Sequence, residues 1–452
     1  MEIKTFYSEG ISHFSYAVVG SSAIAVIDPS RDAERYLPLQ KEFSLPIKYV
    51  LVTHCHADFV GGHVRLAELT GATIICGRGT SPGYPAVEVE EGYEIDLGDI
   101  LLKVIETPGH TPEHVSFVLY EKEYGGKTPF AVFSGDSLFS GDVGRPDLFG
   151  KEKQKELIEA LFGTLEKYKA MPEHVLIYPA HGAGSFCGKR LSQRCPTTLG
   201  YEKMFNKALG AQSPEELEKV VLSNMPTPPP YYFQVSKRNR TGAGLKDPQK
   251  ELRAIPLKEA LSSKATLVDT RDQACFATAF IPGSINIASD IHFAMNTGMT
   301  LDVQQEIILL GDTPHKVALT LYRMGYDGLK GYITGGYETY RNASLPADSF
   351  PLISPKDALE LWKSQSALFV DVRTEGEFQE EHIKNAQSLP LPRLKEEASN
   401  LPTDRTIICY CGHGCRGSLA ASILKKLGFT NVANLAGGII AWKARGLPVD
   451  NT

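Results

Sequence analysis

Short apolar runs alternate with stretches of helical spacing along the whole chain, which predicts an α/β protein. Ile47-Lys48-Tyr49-Val50-Leu51-Val52 reads as a buried strand, and Ile307-Ile308-Leu309-Leu310, Leu368-Phe369-Val370-Asp371 and Ile407-Ile408-Cys409-Tyr410 read the same way. The last of these ends at Cys411; a five-residue loop follows it, and helical spacing begins near Ser418. Two stretches interrupt the alternation. Met225-Pro226-Thr227-Pro228-Pro229-Pro230 reads as a semi-rigid linker, and the basic, glycine-containing stretch Lys237 to Lys246 as a flexible one. A third boundary falls between Ser344 and Pro351. These breaks predict three domains, at residues 1–247, 248–348 and 349–452.

The second and third domains are copies of each other. Leu267-Val268-Asp269-Thr270-Arg271 pairs with Phe369-Val370-Asp371-Val372-Arg373, and Gly335-Gly336 with Gly437-Gly438. Asp269 and Asp371 stand 102 residues apart, as do Gly335 and Gly437, and one constant offset at both ends marks a duplication. The copies differ after the apolar run Glu306–Leu310, where Gly311 takes the place of Cys411 and the loop is about three residues shorter. Without a thiol there, the first copy is expected to serve as a structural or docking domain.

Cys411 lies where a strand turns into a helix, so its sulfur sits in a nest of backbone N–H groups that stabilise a thiolate. Gly412 and Gly414 let the backbone curl around the sulfur, His413 and Cys415 complete the loop, and Arg416 adds a permanent cation suited to an anionic sulfur substrate. A second set of candidates lies far upstream. His54-Cys55-His56-Ala57-Asp58 follows a buried strand and places three potential ligands at alternate positions, which share one face of an extended segment. Three more apolar runs end in a polar ligand beside glycine or proline: His110 in Thr107–His114, Asp136 in Phe133–Phe139, and His181 in Tyr178–Gly182. Imidazole and carboxylate clusters of this kind are metal-ligand chemistry.

The Cys411 loop, with Leu368–Arg373, Glu377-Phe378, Glu381-His382-Ile383, Leu435–Trp442 and Gly446–Val449, resembles the rhodanese sulfurtransferases over residues 350–450. The four upstream clusters resemble the metallo-beta-lactamase superfamily over residues 10–200. That pairing implies an αββα sandwich with metal held by loops at one edge, followed by two α/β rhodanese domains with parallel sheets. Two-zinc hydrolases of the glyoxalase II type carry His-x-His-x-Asp-His; Phe59 stands at the final position and cannot ligate, so one metal per chain is expected. In the persulfide dioxygenases of the superfamily a single Fe(II) is held at positions matching His54, His110 and Asp136. His56, Asp58 and His181 would then orient ligands and substrate, and zinc is the alternative metal.

The segments Gly135–Phe139 and Asp142–Leu148 also resemble the dioxygenases. Within them Arg145 either binds substrate or braces a loop by pairing with a carboxylate such as Asp147. Lys189 and Arg190, with Arg194 and near Cys187 and Cys195, either attract an anionic thiol carrier or form a solvated face.

The whole chain resembles a bacterial fusion of a persulfide dioxygenase with two rhodanese domains, the first lacking its cysteine. That resemblance implies oxidation of a persulfide of glutathione, coenzyme A, bacillithiol or cysteine with O2 to sulfite, followed by sulfur transfer on Cys411 to give thiosulfate. The alternatives are a glyoxalase II-type zinc thioester hydrolase and a non-oxidative sulfur relay.

Composition narrows the partners. A formal net charge of −6, with 22% charged residues, supplies no basic stripe for nucleic acid. No apolar run reaches the roughly 18 residues a membrane span needs. Eight cysteines in 452 residues are too sparse for a disulfide scaffold, so a cytoplasmic setting with free thiols is expected. A homo-oligomer is expected, with Tyr231-Tyr232-Phe233 free to pack within the chain or against a neighbouring subunit.

Overall fold

The computed structural model describes residues 1–451, which fall into two compact units. The first comprises residues 1–250 with 322–325, and the second takes 251–321 and 326 onward.

The first unit holds two six-stranded sheets face to face. One runs in chain order through Glu2–Ser8, His13–Val19, Ile24–Ile27, Ile47–Val52, Thr73–Gly77 and Val87–Val89. The other runs Thr197–Thr198, Leu176–Pro179, Ala131–Gly135, Val115–Glu121, Ile100–Glu106, Glu94–Asp96. The strand period of two decides what each residue faces. Phe117, Leu119 and Phe133 point between the sheets and meet Tyr16, Ala25, Leu51 and Ile75, whereas Val118, Val132 and Ile177 point outward onto Leu161, Leu165 and Tyr168 of the helix Lys151–Lys169. The expected αββα sandwich is thus present. His54, His110, Asp136 and His181 follow the strands Ile47–Val52, Ile100–Glu106, Ala131–Gly135 and Leu176–Pro179, all at C-terminal ends, so their loops gather at one edge.

The first half of the stretch expected to be a flexible linker, Lys237 to Thr241, is helix. Tyr231–Thr241 is helical, with Tyr231, Tyr232, Val235 and Asn239 buried, and Gly242 caps it in the left-handed region. The basic residues that suggested a solvated tether occupy only its outer face; the buried side chains recur at helical spacing, a pattern masked by mean polarity.

The second unit contains two parallel five-stranded sheets of identical order. One runs Ala254–Ile255, Leu329–Ile333, Ile307–Leu310, Thr266–Asp269, Ile285–Asn286; the other runs Leu352–Ile353, Val432–Leu435, Thr406–Tyr410, Ala367–Asp371, Gln387–Ser388. Each copy locks its first long strand with a two-oxygen fork: Arg271 on Asp269 and Arg373 on Asp371. Each arginine also donates to a carbonyl eight residues on, Ala279 O and Glu381 O.

Two details of the central loops differ from expectation. The helix after Cys411 starts at Cys415, not near Ser418, because Gly414 adopts φ 105° and turns the chain at once. The thiol-less loop spans Gly311 to Thr313 against Cys411 to Gly414, one residue shorter rather than three. No described helix is long and apolar enough to cross a membrane.

Candidate functional sites

The metal-binding edge is built on hydrogen bonds that fix which nitrogen of each imidazole is bare. Thr53 Oγ1 donates its one proton to Asp28 Oδ2 at 2.8 Å, so its contact of 3.0 Å with His54 Nδ1 requires the ring to be the donor. His54 Nε2 is therefore left as a bare acceptor. His110 Nδ1 donates to the Arg145 carbonyl at 2.9 Å, which likewise frees Nε2. The backbone N–H of Asp136 donates to His114 Nε2 at 3.0 Å, and His114 Nδ1 lies 2.8 Å from Thr107 Oγ1. Asp28 itself stands in the left-handed region at φ 47°, a strained backbone for a non-glycine residue and a mark of functional constraint.

These freed atoms converge. His54 Nε2 and His110 Nε2 lie 3.7 and 3.4 Å from Asp136 Oδ2, and His181 Nε2 lies 3.6 Å from Asp136 Oδ1 and 3.4 Å from Asp58 Oδ2. His54, His110 and Asp136 form one group with ligand atoms mutually within 4.8 Å, and His56, Asp58 and His181 form another. All six are buried, and His54 Nε2, His110 Nε2, both oxygens of Asp136, both nitrogens of His56 and His181, and Asp58 Oδ1 have no hydrogen-bond partner. Buried polar atoms left orphaned together carry a cost that a cation removes, so the donor set fits a metal. Burial pushes the His110 and His181 imidazoles down to about 4, keeping them in the neutral, ligating form. Burial also raises Asp58 to about 6 and lifts Asp136 from its ordinary value. His56 is the exception: burial lowers it, but Asp28 Oδ1, 3.4 Å from its Nε2, outweighs that and holds it up.

Phe59 is buried against this cluster, its ring centroid 4.5 Å from that of His56 and 4.0 Å from that of His13. His13, buried with both nitrogens unpartnered, was not anticipated from sequence, and neither were Asp28, His114 and Asn239. Asn239 donates to the carbonyls of His56 at 2.7 Å and Phe59 at 2.8 Å, and accepts from Gly61 N at 2.8 Å. It ties the supposed linker to the ligand loop. Cys187 joins Asp136 and His181 in a third group of potential ligand atoms.

Beside the cluster a cavity of about 460 Å³ is lined by Cys55, Thr111, Leu148, Phe149, Tyr232 and Phe233 among others. The Thr111 hydroxyl is buried with no partner. Arg145, Lys189 and Arg190 do not line it. Arg145 is fully buried and forks onto Asp147 at 2.7 and 2.7 Å, the pairing named for a loop brace. Lys189 Nζ donates to the Val220 and Ser223 carbonyls at the end of the helix Pro214–Leu222, and Arg190 is exposed.

In the second unit Cys411 is 2% exposed and accepts from Gly414 N at 3.1 Å. Gly438 is required here: a Cβ on it would come 2.1 Å from the Cys411 carbonyl. Gly412 and Cys415 are half-buried and His413 is exposed. Burial, then Asp290, pushes the Cys415 thiol up to about 12, and burial does the same to Cys409. Arg416 lies alongside Gly412 with its two terminal nitrogens 2.8 and 2.8 Å from the carboxylate oxygens of Glu377. Burial opposes ionisation of Glu377, but the Arg416 fork outweighs it and brings the carboxyl down to about 2.

Comparison with known proteins agrees with this division. Residues 9–181 match the metallo-beta-lactamase superfamily, and residues 254–343 and 354–445 each match the rhodanese-like domain. A mitochondrial persulfide dioxygenase ETHE1 of Bos taurus is 31% identical over 225 residues, 49% of this chain and 80% of the relative. A hydroxyacylglutathione hydrolase of Rhodospirillum rubrum is 32% identical over 222 residues, 48% of this chain and 77% of the relative. The crystal structure of a metallo-beta-lactamase from Staphylococcus aureus superposes with a TM-score of 0.66 at 33% identity, covering 73% of this chain and 98% of that one.

Proposed function

Since the chain belongs to the metallo-beta-lactamase superfamily and carries two rhodanese-like domains behind that fold, we propose that it oxidises a small persulfide with dioxygen at one Fe(II) ion and moves sulfane sulfur on Cys411. The observation that carries the reading is the triad His54, His110 and Asp136, whose bare ligand atoms are fixed by Thr53, the Arg145 carbonyl and His114, with Phe59 standing where a further imidazole would serve a second metal. His54, His110 and Asp136 would hold the ion through two imidazoles and one carboxylate, and bound there it would supply the redox chemistry between a persulfide sulfur and dioxygen.

The protein's own groups do the rest. The cavity beside the triad receives the organic part of the thiol, Tyr232 and Phe233 keep water from its apolar wall, and the Thr111 hydroxyl offers one hydrogen bond to orient it. His56, Asp58 and His181 hold polar groups of substrate and water at the edge of the site. In this half R–S–SH takes up one O2, which is reduced as the outer sulfur is oxidised, and one water, whose oxygen completes the sulfite; R–SH, sulfite and two protons leave.

In the other half the Cys411 thiolate attacks the outer sulfur of R–S–SH. The new S–S bond leaves Cys411–S–S⁻, and the departing R–S⁻ takes up the proton as R–SH. The Gly414 N–H and the start of the helix Cys415–Lys426 face the sulfur and stabilise its charge. Sulfite attacks the outer sulfur, the S–S bond breaks, and thiosulfate leaves with the Cys411 thiolate restored. The carrier thiol is glutathione, coenzyme A, bacillithiol or cysteine.

The test is oxygen uptake by iron-loaded protein on adding glutathione persulfide, with sulfite and thiosulfate measured in the same sample. Uptake with both products supports the reading; no uptake with iron bound and all four carriers tried overturns it. A second reading, a two-zinc thioester hydrolase, draws on the group His56, Asp58 and His181 and on the hydrolase relatives. Zinc-loaded protein hydrolysing S-lactoylglutathione without oxygen uptake would select it.

A further inference from the structure

The helix Cys415–Lys426 is buried at every residue from Gly417 to Leu424. Its own sheet covers one side, and the thiol-less copy covers another. Asn286, in the strand Ile285–Asn286 of that copy, accepts from Ser418 Oγ at 2.7 Å on its Oδ1 and donates its backbone N–H to Ser422 Oγ at 3.0 Å. Ser418 and Ser422 are four residues apart, so they present one face of the helix to one residue. The Asn286 amide nitrogen is in turn anchored on the Asp269 and Arg271 carbonyls at 3.1 and 2.9 Å.

At the helix start the same copy reaches the cysteine loop. Gln273 Nε2 donates to the His413 carbonyl at 3.4 Å, and Gln273 Oε1 accepts from Asn434 Nδ2 at 3.4 Å, which also donates to the Gly414 carbonyl at 3.1 Å. The approach is close: a Cβ on Gly414 would come 2.5 Å from Gln273 Oε1. Gly414 is the residue whose N–H meets the Cys411 sulfur.

We propose that Gln273 and Asn286 of the thiol-less copy are positioning residues for Cys411. Asn286 holds the helix that points its N-terminus at the sulfur, and Gln273 holds the His413–Gly414 peptide that carries the Gly414 N–H, and through Asn434 the Gly414 carbonyl. Donors fixed in place stabilise a thiolate or persulfide anion, whereas a loop free to turn lets them rotate away. The copy that lacks the loop cysteine therefore works in the reaction of the copy that has one. The inference rests on Cys411 being the sulfur carrier, and its test separates the two.

The full iron-loaded chain is assayed for thiocyanate formation from thiosulfate and cyanide, and alkylation of Cys411 by iodoacetamide is followed by peptide mass spectrometry across pH. Gln273→Ala is expected to lower thiocyanate turnover about tenfold, to move the alkylation midpoint up by about half a pH unit, and to leave oxygen uptake and the thermal midpoint at parental values. Gln273→Glu, which keeps the shape but trades a donor for a charge, is expected to move the alkylation midpoint further. Asn286→Ala, measured at matched folded fraction, is expected to act in the same direction. Parental turnover and an unmoved alkylation profile in Gln273→Ala overturn the proposal, as does a turnover loss no larger than the loss of folded protein. If the parent itself makes no thiocyanate, the sulfur-transfer reading falls, and the alkylation profiles still decide the positioning role.

Discussion

The tautomer of His54 depends on one hydroxyl. Thr53→Val keeps the shape of that side chain but removes both the donor to Asp28 and the acceptor for His54 Nδ1. Metal affinity is expected to fall 10- to 100-fold, measured by competition with a chelating dye, with secondary structure unchanged. His110→Ala removes a ligand outright and is expected to abolish both metal retention and oxygen uptake. Cys411→Ser is expected to stop thiosulfate formation and spare sulfite; if it also stopped oxygen uptake, the division into two sites would be wrong. The candidate ligands were legible because each sits in a short run with its neighbours, as in His54-Cys55-His56-Ala57-Asp58. Asp28, His114 and His13 were not, because their roles come from what the fold brings beside them. Arg145, a cation in a suggestive segment, is fully buried and paired with Asp147, a partner already visible two residues on in the sequence.

Two elements act on the sites from outside the motifs. The helix Tyr231–Thr241 holds the ligand loop through Asn239, which satisfies the His56 and Phe59 carbonyls and the Gly61 N–H. Asn239→Ala leaves three buried backbone groups unpaired, at about 1–3 kcal/mol each. The thermal midpoint of the metal-binding unit is expected to drop by about 5 °C or more, with weaker metal binding. Sequence missed this element because Lys237, Arg238 and Arg240 raise its average polarity while its buried residues keep helical spacing. The helix Glu375–Glu380 carries the second case. Glu377 closes its capping box with Thr374 and also receives Arg416. Its carboxyl is held down to about 2, against an ordinary 4.5, so its contribution to stability is full above the ordinary value and is lost as pH falls through the folded one. Glu377→Gln is therefore expected to be less stable than the parent at neutral pH, with the gap closing between pH 4.5 and 2 in denaturant titrations.

Over the whole molecule, the alternation of runs predicted an α/β protein and the constant offset of 102 a duplicated domain, while the αββα sandwich and the paired parallel sheets were implied by the resemblance to two families. What the pattern did not show was packing between segments distant in sequence, such as Asn286 against Ser418 and Ser422. Hydrogen bonds of that kind leave no periodic trace. The duplication also provides an internal control. The copy without a loop cysteine keeps its Asp269–Arg271 fork, at 2.6 Å, as tightly as the other keeps Asp371–Arg373, at 2.7 Å. Both copies match the rhodanese-like domain and share the scaffold, while the loop opens on Gly311 in one and on Cys411 in the other. An Asp-x-Arg signature after an apolar strand accordingly reports the scaffold and not the thiol, and a genome searched with it alone would count domains with and without a loop cysteine together; the residue that tells them apart is the first one past the central strand.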